Sequence, residues 1–200
     1  MRMTATDINY DEDVVRWEPD SRERLEQAAM ALYAERGFDN TTVAEIAARA
    51  GLTERTFFRH FTDKREVLFA GAGQLQEAMV RAVAGAPASA SPLDAVTAGV
   101  EAAGARLPGP VAARRRNAII VANAELRERE LIKLASLSAA LADTLRDRGV
   151  EAALSDLIAE IGIGVFKIAF ERWIDESNER SFPELVGESL DQLRAVSAGR

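Results

Sequence analysis

The 200-residue sequence predicts an all-α protein of about nine helices, in which a small N-terminal three-helix unit precedes a larger helical body. Ala and Leu are frequent, β-branched runs are few, and 48% of the residues are hydrophobic, so that a sizeable helical core can be buried. Apolar residues recur at three- and four-residue spacing, as they do in amphipathic helices. Gly and Pro residues mark the ends of these segments.

Four helices are expected in the first part of the chain, at about 21–36, 43–50, 54–60 and 63–84. The second has the clearest start, because Thr42 and Glu45 form the pattern of a capping box. Thr53 is a cap for the third helix, and Gly51 ends the second. These two short helices are therefore separated by only three residues.

Five further helices are expected, at about 93–105, 111–122, 124–148, 151–176 and 182–197. The segment 151–176 carries apolar stripes on two sides, so one side can pack on its own chain while the other requires a partner. We expect a homodimer in which this helix and the last one meet their copies in a four-helix arrangement. The expected anchors are Phe166, Phe170, Trp173, Leu185, Val186, Leu190 and Leu193.

The turn Gly51-Leu52-Thr53 between two short helices has the spacing of a helix-turn-helix motif. An α-helix fits the major groove of duplex DNA, and the preceding helix crosses the backbone and fixes the angle. The sequence therefore predicts a DNA-binding unit at 21–66 and a ligand-binding and dimerisation body at 67–200. Residues 1–20 are expected to be an acidic, disordered tail.

The charge distribution bears on this prediction, because the net charge of −7 is unusual for a DNA-binding protein. Residues 1–20 carry a net charge of −4, whereas residues 21–70 contain eight basic and eight acidic side chains and are neutral. Double-stranded DNA would then be bound by a few well-placed cations and not by a broad basic surface.

The stretch TTVAEIAARAGLTERTFFRHFTDKREVLF, residues 41–69, resembles the DNA-binding signature of the TetR family of transcriptional regulators. The resemblance implies a homodimer that binds a palindromic operator, most often as a repressor released by a small molecule. It also implies contacts to phosphates, base edges or the groove wall from nine residues, namely Thr42, Thr53, Glu54, Arg55, Thr56, Phe58, Arg59, His60 and Lys64.

Two of these positions depart from the family pattern. Phe58 stands where the family often has Tyr, so it can contact a sugar or a thymine methyl but cannot donate a hydroxyl to a phosphate. Arg55 stands where a small residue is common, and Arg is the best bidentate ligand of guanine. Two alternatives stay open for Glu54, which can hold Arg55 back or accept from a cytosine amine.

The segment 114–137 and the sequence FERW at 170–173 resemble the body of regulators associated with mycofactocin, a subgroup proposed to sense acyl-CoA-like compounds. We expect an apolar effector pocket among the helices of 93–148. The consecutive Arg114, Arg115 and Arg116 would bind an anionic group of the effector at its mouth. The alternative is that these three arginines form an ordinary solvated face.

Other function classes fit the composition less well. With no Cys, one His and no phosphate-binding loop, we expect neither an enzyme nor a metal or cofactor site. No apolar run reaches the length of a membrane span, so we expect a cytoplasmic protein without a membrane partner. Two rivals remain, a DNA-binding protein that needs no ligand and a protein-interaction module whose helix-turn-helix head has lost its affinity for DNA.

Overall fold

The computed structural model describes residues 20–199, and within that range it contains nine α-helices and no strand. The predicted all-α class is therefore confirmed, whereas the expectations for residues 1–19 lie outside the described part. The helices are α1 Ser21–Arg36, α2 Val43–Arg49, α3 Glu54–His60, α4 Ala72–Ala84, α5 Pro92–Gly104, α6 Pro110–Ala122, α7 Ala124–Asp147, α8 Ala152–Trp173 and α9 Phe182–Ser197, with a short 3-10 helix Glu66–Phe69 before α4.

The predicted fourth helix at 63–84 is the one element whose start was placed wrongly. The carboxylate of Asp63 accepts hydrogen bonds from the backbone N–H groups of Arg65 and Glu66, at 2.8 and 3.1 Å. This cap opens only the 3-10 helix, and α4 begins at Ala72. Two glycines flank the start of α4, and glycine weakens a helix through its backbone entropy.

Helices α1 to α3 form the head, which packs around the fully buried side chains of Leu25, Ile46 and Phe57. Tyr33 closes this core from the side, and its hydroxyl donates to the backbone carbonyl of Lys64 at 2.6 Å. Burial raises the pKa of Tyr33, so the hydroxyl remains a donor throughout the ordinary pH range. The head thus has a hydrophobic core of its own, distinct from that of the body.

Helices α4, α5, α7, α8 and α9 form the body around a second core, in which Met79, Val96 and Leu141 are almost completely buried. Gly162 of α8 lies where α5 crosses it, and a Cβ atom there would overlap the side chain of Val96. Gly162 therefore allows α5 and α8 to pack closely. The interior of the body is filled with side chains.

The corner between α6 and α7 joins the two units. Ile120 and Leu126 are both fully buried, and they pack in the core of the head together with residues of the 3-10 helix. Apolar side chains that follow residue 66 thus complete the core of the head. The boundaries 21–66 and 67–200 stay a prediction about domains, but the packing couples the two units through α6 and α7 as well as through α4.

The two apolar stripes of α8 have the opposite roles to those expected. Phe166, Leu185, Val186 and Leu190, predicted as dimer anchors, are buried within the protomer. Phe170 and Trp173 pack partly buried against the same core, and Leu193 is only partly exposed. They turn inward because the aromatic rings of α8 stack among themselves and on Phe182 of α9.

The outward stripe of α8 consists instead of the exposed Leu154, Leu157 and Ile168, at helical spacing. Ile161 and Gly164 lie between them and are half-buried, Ile161 packing partly against the core of the body. Leu157 and Ile168 expose 57% and 51% of their surface. Solvent-exposed side chains of this size, in line along one helix, form an apolar face that residues 20–199 leave largely uncovered.

Candidate nucleic-acid interface

Helix α2 is fixed at its N-terminus by the predicted capping box. The backbone N–H of Thr42 donates to the carboxylate of Glu45 at 2.9 Å, and the backbone N–H of Glu45 donates to the Thr42 hydroxyl at 3.2 Å. These hydrogen bonds hold the pKa of Glu45 below its usual range, the Thr42 backbone N–H being the largest cause. The exposed Thr42 therefore combines a capping role with a position at the start of the motif.

The turn between α2 and α3 depends on Gly51, whose φ of 65° lies in the left-handed region. The N–H of Gly51 donates to the carbonyl of Ala48 at 3.0 Å, and that of Leu52 donates to the carbonyl of Ala47 at 2.8 Å. These bonds end α2 and reverse the chain within three residues. Helix α3 then starts at Glu54 in a new direction.

One side of helix α3 packs against the core of the head, and the other side is exposed to solvent. Thr53 caps it by accepting from the N–H of Thr56 at 3.2 Å, and Phe57 anchors it, fully buried in the head. His60, at its C-terminal end, is half-buried, and its Nε2 lies 2.8 Å from the hydroxyl of Ser21. The exposed side chains are Thr53, Glu54, Arg55, Phe58 and Arg59.

Phe58 is the exposed aromatic residue of this surface, with 56% of its side chain accessible. Its ring lies edge-on to that of Phe57, with 5.5 Å between the centroids. The buried ring therefore supports the exposed one and limits its rotation. The exposed position of Phe58 leaves it accessible to a sugar or a thymine methyl, the contact that the resemblance implies.

The basic side chains of the head differ sharply in their partners. Of the eight between residues 21 and 70, six are bound within the protein to carboxylates or backbone carbonyls, namely Arg22, Arg24, Arg36, Arg49, Lys64 and Arg65. Within the part of the chain that the structure describes, Arg55 and Arg59 have neither kind of partner. Glu54 consequently does not hold Arg55 back. The guanidinium of Arg59 has one long contact, at 3.4 Å from Nε2 of its neighbour His60, and both arginines belong to α3.

Lys64 is not placed as predicted. Its ammonium donates to the carbonyls of Phe38 and Thr41, each at 2.8 Å, and it lies 4.4 Å from the centroid of the Phe38 ring. A third, longer bond reaches the carbonyl of Asp39. The ammonium thus closes the turn after α1 with all three of its protons, and this geometry corrects the expectation that it neutralises a phosphate.

The three consecutive arginines of α6 do not form an anion-binding cluster, which corrects the second expectation. Arg114 donates to the carbonyl of Ile174 at 2.5 Å. Arg116 points the other way and donates to the carbonyl of Leu68 at 2.6 Å, and burial lowers its pKa. Only Arg115 is exposed, because successive residues of a helix diverge by about 100°.

Among residues 20–199, neither of the two best-formed depressions is an apolar pocket enclosed by the helices of 93–148, and that pocket stays a prediction. One depression of about 600 Å³ lies at the α8–α9 turn and is lined mainly by charged and polar side chains, among them Arg172 and Arg180. A second, of about 230 Å³, lies between head and body. Buried aliphatic side chains pack between the helices of the body, and Val100 and Leu145 are examples.

A set of ion pairs ties the head to the body. Glu66 accepts from Nε of Arg129 at 2.6 Å and from Lys133 at 3.4 Å. Arg65 forms an ion pair with Glu125 at the start of the same helix, α7. Sequence reasoning missed these residues, since 60 or more positions separate the partners and no local pattern marks them.

The geometry defines a class of protein: a helix-turn-helix head with an exposed second helix, joined to a helical body that has an unpartnered face. Residues 26–70 match the family described as bacterial regulatory proteins, tetR family, and residues 90–198 match the MftR C-terminal domain. The second match covers more than half of the chain. The chain belongs to the TetR family, whose members are DNA-binding transcriptional regulators, with a body of the MftR type.

One relative is TcmR of Streptomyces glaucescens, an HTH-type transcriptional regulator that is 36% identical to this chain over 77 residues. That match spans 38% of this chain and 34% of TcmR, about a third of the relative's length. The similarity to TcmR is therefore limited to one segment of this chain.

Solved structures show the same fold. SmeT, the repressor of the multidrug efflux pump SmeDEF of Stenotrophomonas maltophilia, is 22% identical, with a TM-score of 0.57 over 88% of this chain and 89% of SmeT. A transcriptional regulator of Pseudomonas aeruginosa is 19% identical, with a TM-score of 0.63 over 96% of this chain and 97% of that one. At these identities the likeness concerns the fold alone. No helix among residues 20–199 is both long and apolar enough to cross a bilayer.

Proposed function

We propose that this protein is a homodimeric transcriptional repressor of the cytoplasm that binds a palindromic operator by inserting α3 of each protomer into the major groove of duplex DNA. One observation carries the proposal. Among residues 20–199, the two arginines of the head that have no carboxylate or backbone carbonyl partner are Arg55 and Arg59, and both lie on the exposed side of α3. Cations left free on one surface are available to phosphates and base edges.

The roles within α3 follow from position. Arg55 lies in the first turn, the part of a recognition helix that reaches base edges, and its planar guanidinium suits O6 and N7 of guanine. Arg59 lies one turn later and is suited to a phosphate at the groove wall. Thr42, Thr53 and Thr56 surround them with hydroxyl groups at two helix N-termini, and Phe58 supplies an apolar contact to a sugar or a thymine methyl.

The test compares Arg55→Ala and Arg59→Ala with Arg106→Ala, an exposed arginine of the body for which residues 20–199 provide no ion-pair partner. Binding to a selected operator duplex is measured by fluorescence anisotropy between 50 and 200 mM salt, a range over which counterion release is easily resolved. Arg59→Ala should lower affinity for all sequences and reduce the salt slope by about one. If Arg106→Ala weakens binding as much as either α3 variant, the groove assignment is wrong.

The outward stripe of α8 supports the dimer, because Leu157 and Ile168 are largely uncovered in the described part of the protomer. Two copies related by a two-fold axis would bury Leu157, Ile161 and Ile168 of each chain against one another, with Gly164 allowing close approach. Such an arrangement fixes the distance between the two α3 helices. A palindrome with matching half-site spacing is then the expected operator.

The effector is the second part of the proposal, and it is supported by the family of the body. The resemblance to mycofactocin-associated regulators suggests an acyl-CoA-like compound, although Arg114 and Arg116 are occupied within the protein. A ligand must therefore part helices that are packed in this structure. It would release DNA by preferring a body shape in which the heads no longer fit the operator, with a coupling of about 1–3 kcal/mol.

A second candidate, a regulator that needs no ligand, is favoured by the filled core of the body. Titration of the protein–operator complex with acyl-CoA compounds of increasing chain length distinguishes the two. Release of DNA by one chain-length range supports the ligand-responsive repressor. Release by salt alone, with no chain length effective, supports the ligand-independent regulator.

A further inference from the structure

The acidic N-terminal segment joins the described structure beside the exposed helix. Asp20 is the N-cap of α1, and the adjacent Ser21 hydroxyl lies 2.8 Å from Nε2 of His60, the last residue of α3. The pKa of Asp20 is lowered, chiefly by a hydrogen bond from Ser21 and to a smaller degree by His60. The chain that precedes Asp20 therefore starts from the C-terminal end of α3.

The segment has the charge and the length to cover that helix. Residues 1–19 contain five acidic and two basic side chains, and three of the acidic ones are consecutive, at 11–13. This run lies seven to nine positions before Asp20, a reach of about 25–30 Å when the chain is extended. Helix α3 has seven residues and is only about 10 Å long.

Among the described residues of the head, two cations have no carboxylate or backbone carbonyl partner with which this acidic run would have to compete. The other six basic side chains between residues 21 and 70 are already bound to carboxylates or carbonyls within the protein. Arg55 and Arg59 face solvent on α3, within reach of residues 11–13. Consecutive carboxylates present anionic oxygens to guanidinium groups much as phosphates do.

We propose that residues 11–13 dock across α3, pair with Arg55 and Arg59, and compete with duplex DNA for the same surface. The proposal rests on the proposed function, since it assigns the acidic segment to the DNA-binding site. Exposed ion pairs are weak individually, but the short tether gives the segment a high effective concentration at α3. The docked segment should weaken the binding of non-specific DNA, which offers only phosphates, more than the binding of an operator whose bases are also contacted.

Docking is tested first without DNA. The chain contains no Cys, so Asn9→Cys can be labelled with a nitroxide at one position. Amide signals of Arg55 to Arg59 should broaden in the deuterated full-length protein, and neutralising residues 11–13 should restore them. A label at Ser89→Cys, in the α4–α5 loop, should leave these signals sharp. Unbroadened α3 signals with the Asn9→Cys label would overturn the proposal whether or not the protein binds DNA.

Competition is then measured with full-length Asp11→Asn/Glu12→Gln/Asp13→Asn protein and a mixed-sequence duplex. This variant should bind about three- to tenfold more tightly at 0.1 M salt, with a steeper salt dependence. The control Glu101→Gln/Asp147→Asn/Glu179→Gln removes the same three charges from exposed sites of the body and should change affinity less than twofold. If both variants raise the affinity equally, the change in net charge alone explains the effect, and the docking proposal is wrong. Broadening of α3 in a protein that binds no duplex would instead contradict the proposed function alone.

Discussion

Single side chains decide both the shape and the chemistry of the exposed surface. Gly51 sets the direction of α3 through its left-handed backbone, and Phe57 fixes the helix to the head. Arg55 and Arg59 then remain as the cations without internal partners among the described residues of the head. A neutral head can in this way present a local positive surface.

Replacing Gly51 with Ala should lower the free energy of unfolding by about 1–2 kcal/mol, because a side chain is strained at a φ of 65°. Gly73→Ala is the matched control, since Gly73 lies in the first turn of α4 with open space around it. It should be neutral or raise stability by about 0.5 kcal/mol. Urea denaturation measures both, and equal destabilisation would contradict the role of Gly51.

Phe58→Tyr tests the departure from the family pattern. The ring is exposed and supported by Phe57, so a hydroxyl can be added without disturbing the core. The new hydroxyl can donate to a phosphate, and operator affinity should rise about threefold or more, since a hydrogen bond to a charged group stabilises by roughly 1 kcal/mol or more. Anisotropy titration measures the change, and a tenfold loss of affinity would show that Phe58 makes an apolar contact that a polar group disrupts.

At the scale of helices, hydrophobic spacing and capping patterns predicted most elements to within one or two residues. The capping box of α2 and the glycine after it are local signals, and local signals suffice for helix ends. The start of α4 was misplaced because an Asp cap looks the same in sequence before a 3-10 turn and before a long helix. The partners of Lys64 and of Arg116 could not be foreseen, since tertiary packing brings together carbonyls from distant segments.

Helix α8 shows a second limit of sequence reasoning. Two apolar stripes were evident, but which one faces the protomer depends on how α9 returns across α8. The sequence favours the aromatic stripe as the dimer interface, because large aromatic residues are common anchors of protein interfaces. In the structure those rings fill the contact between α8 and α9, and the aliphatic stripe is left outside.

Leu157→Glu or Ile168→Glu should therefore disrupt the dimer. A carboxylate in the centre of an apolar interface loses its hydration without gaining a partner. The dissociation constant of the dimer should rise at least a hundredfold in sedimentation equilibrium, with helix content by circular dichroism unchanged. Val111→Glu, at an equally exposed apolar residue of α6, should leave the dimer intact. Retention of the dimer in both α8 variants would exclude this face.

Across the whole molecule, the head and body are joined by packing and by charge. The α6–α7 corner contributes Ile120 and Leu126 to the core of the head, and Glu66 of the 3-10 helix accepts from Arg129 and Lys133 of α7. A change in the position of α6 or α7 is consequently transmitted to the head at two points.

Glu66→Gln tests this junction. Removing the charge weakens both contacts to α7, and the half-buried position makes a loss of about 1–2 kcal/mol of unfolding free energy the expected result. Amide hydrogen exchange should accelerate in the head more than in the body. Glu128→Gln, at an exposed site of α7, should change neither quantity. Uniform acceleration across both units would contradict a local tie.

The central claim is that α3 enters the major groove and that Arg55 contacts a base. Selection of bound duplexes from a random pool tests it most directly, with wild-type and Arg55→Ala proteins treated in parallel. Wild type should enrich an inverted repeat with a guanine fixed at one position of each half-site, and Arg55→Ala should retain the repeat but lose that preference. An identical motif for both proteins, or no enriched repeat for wild type, would contradict the account.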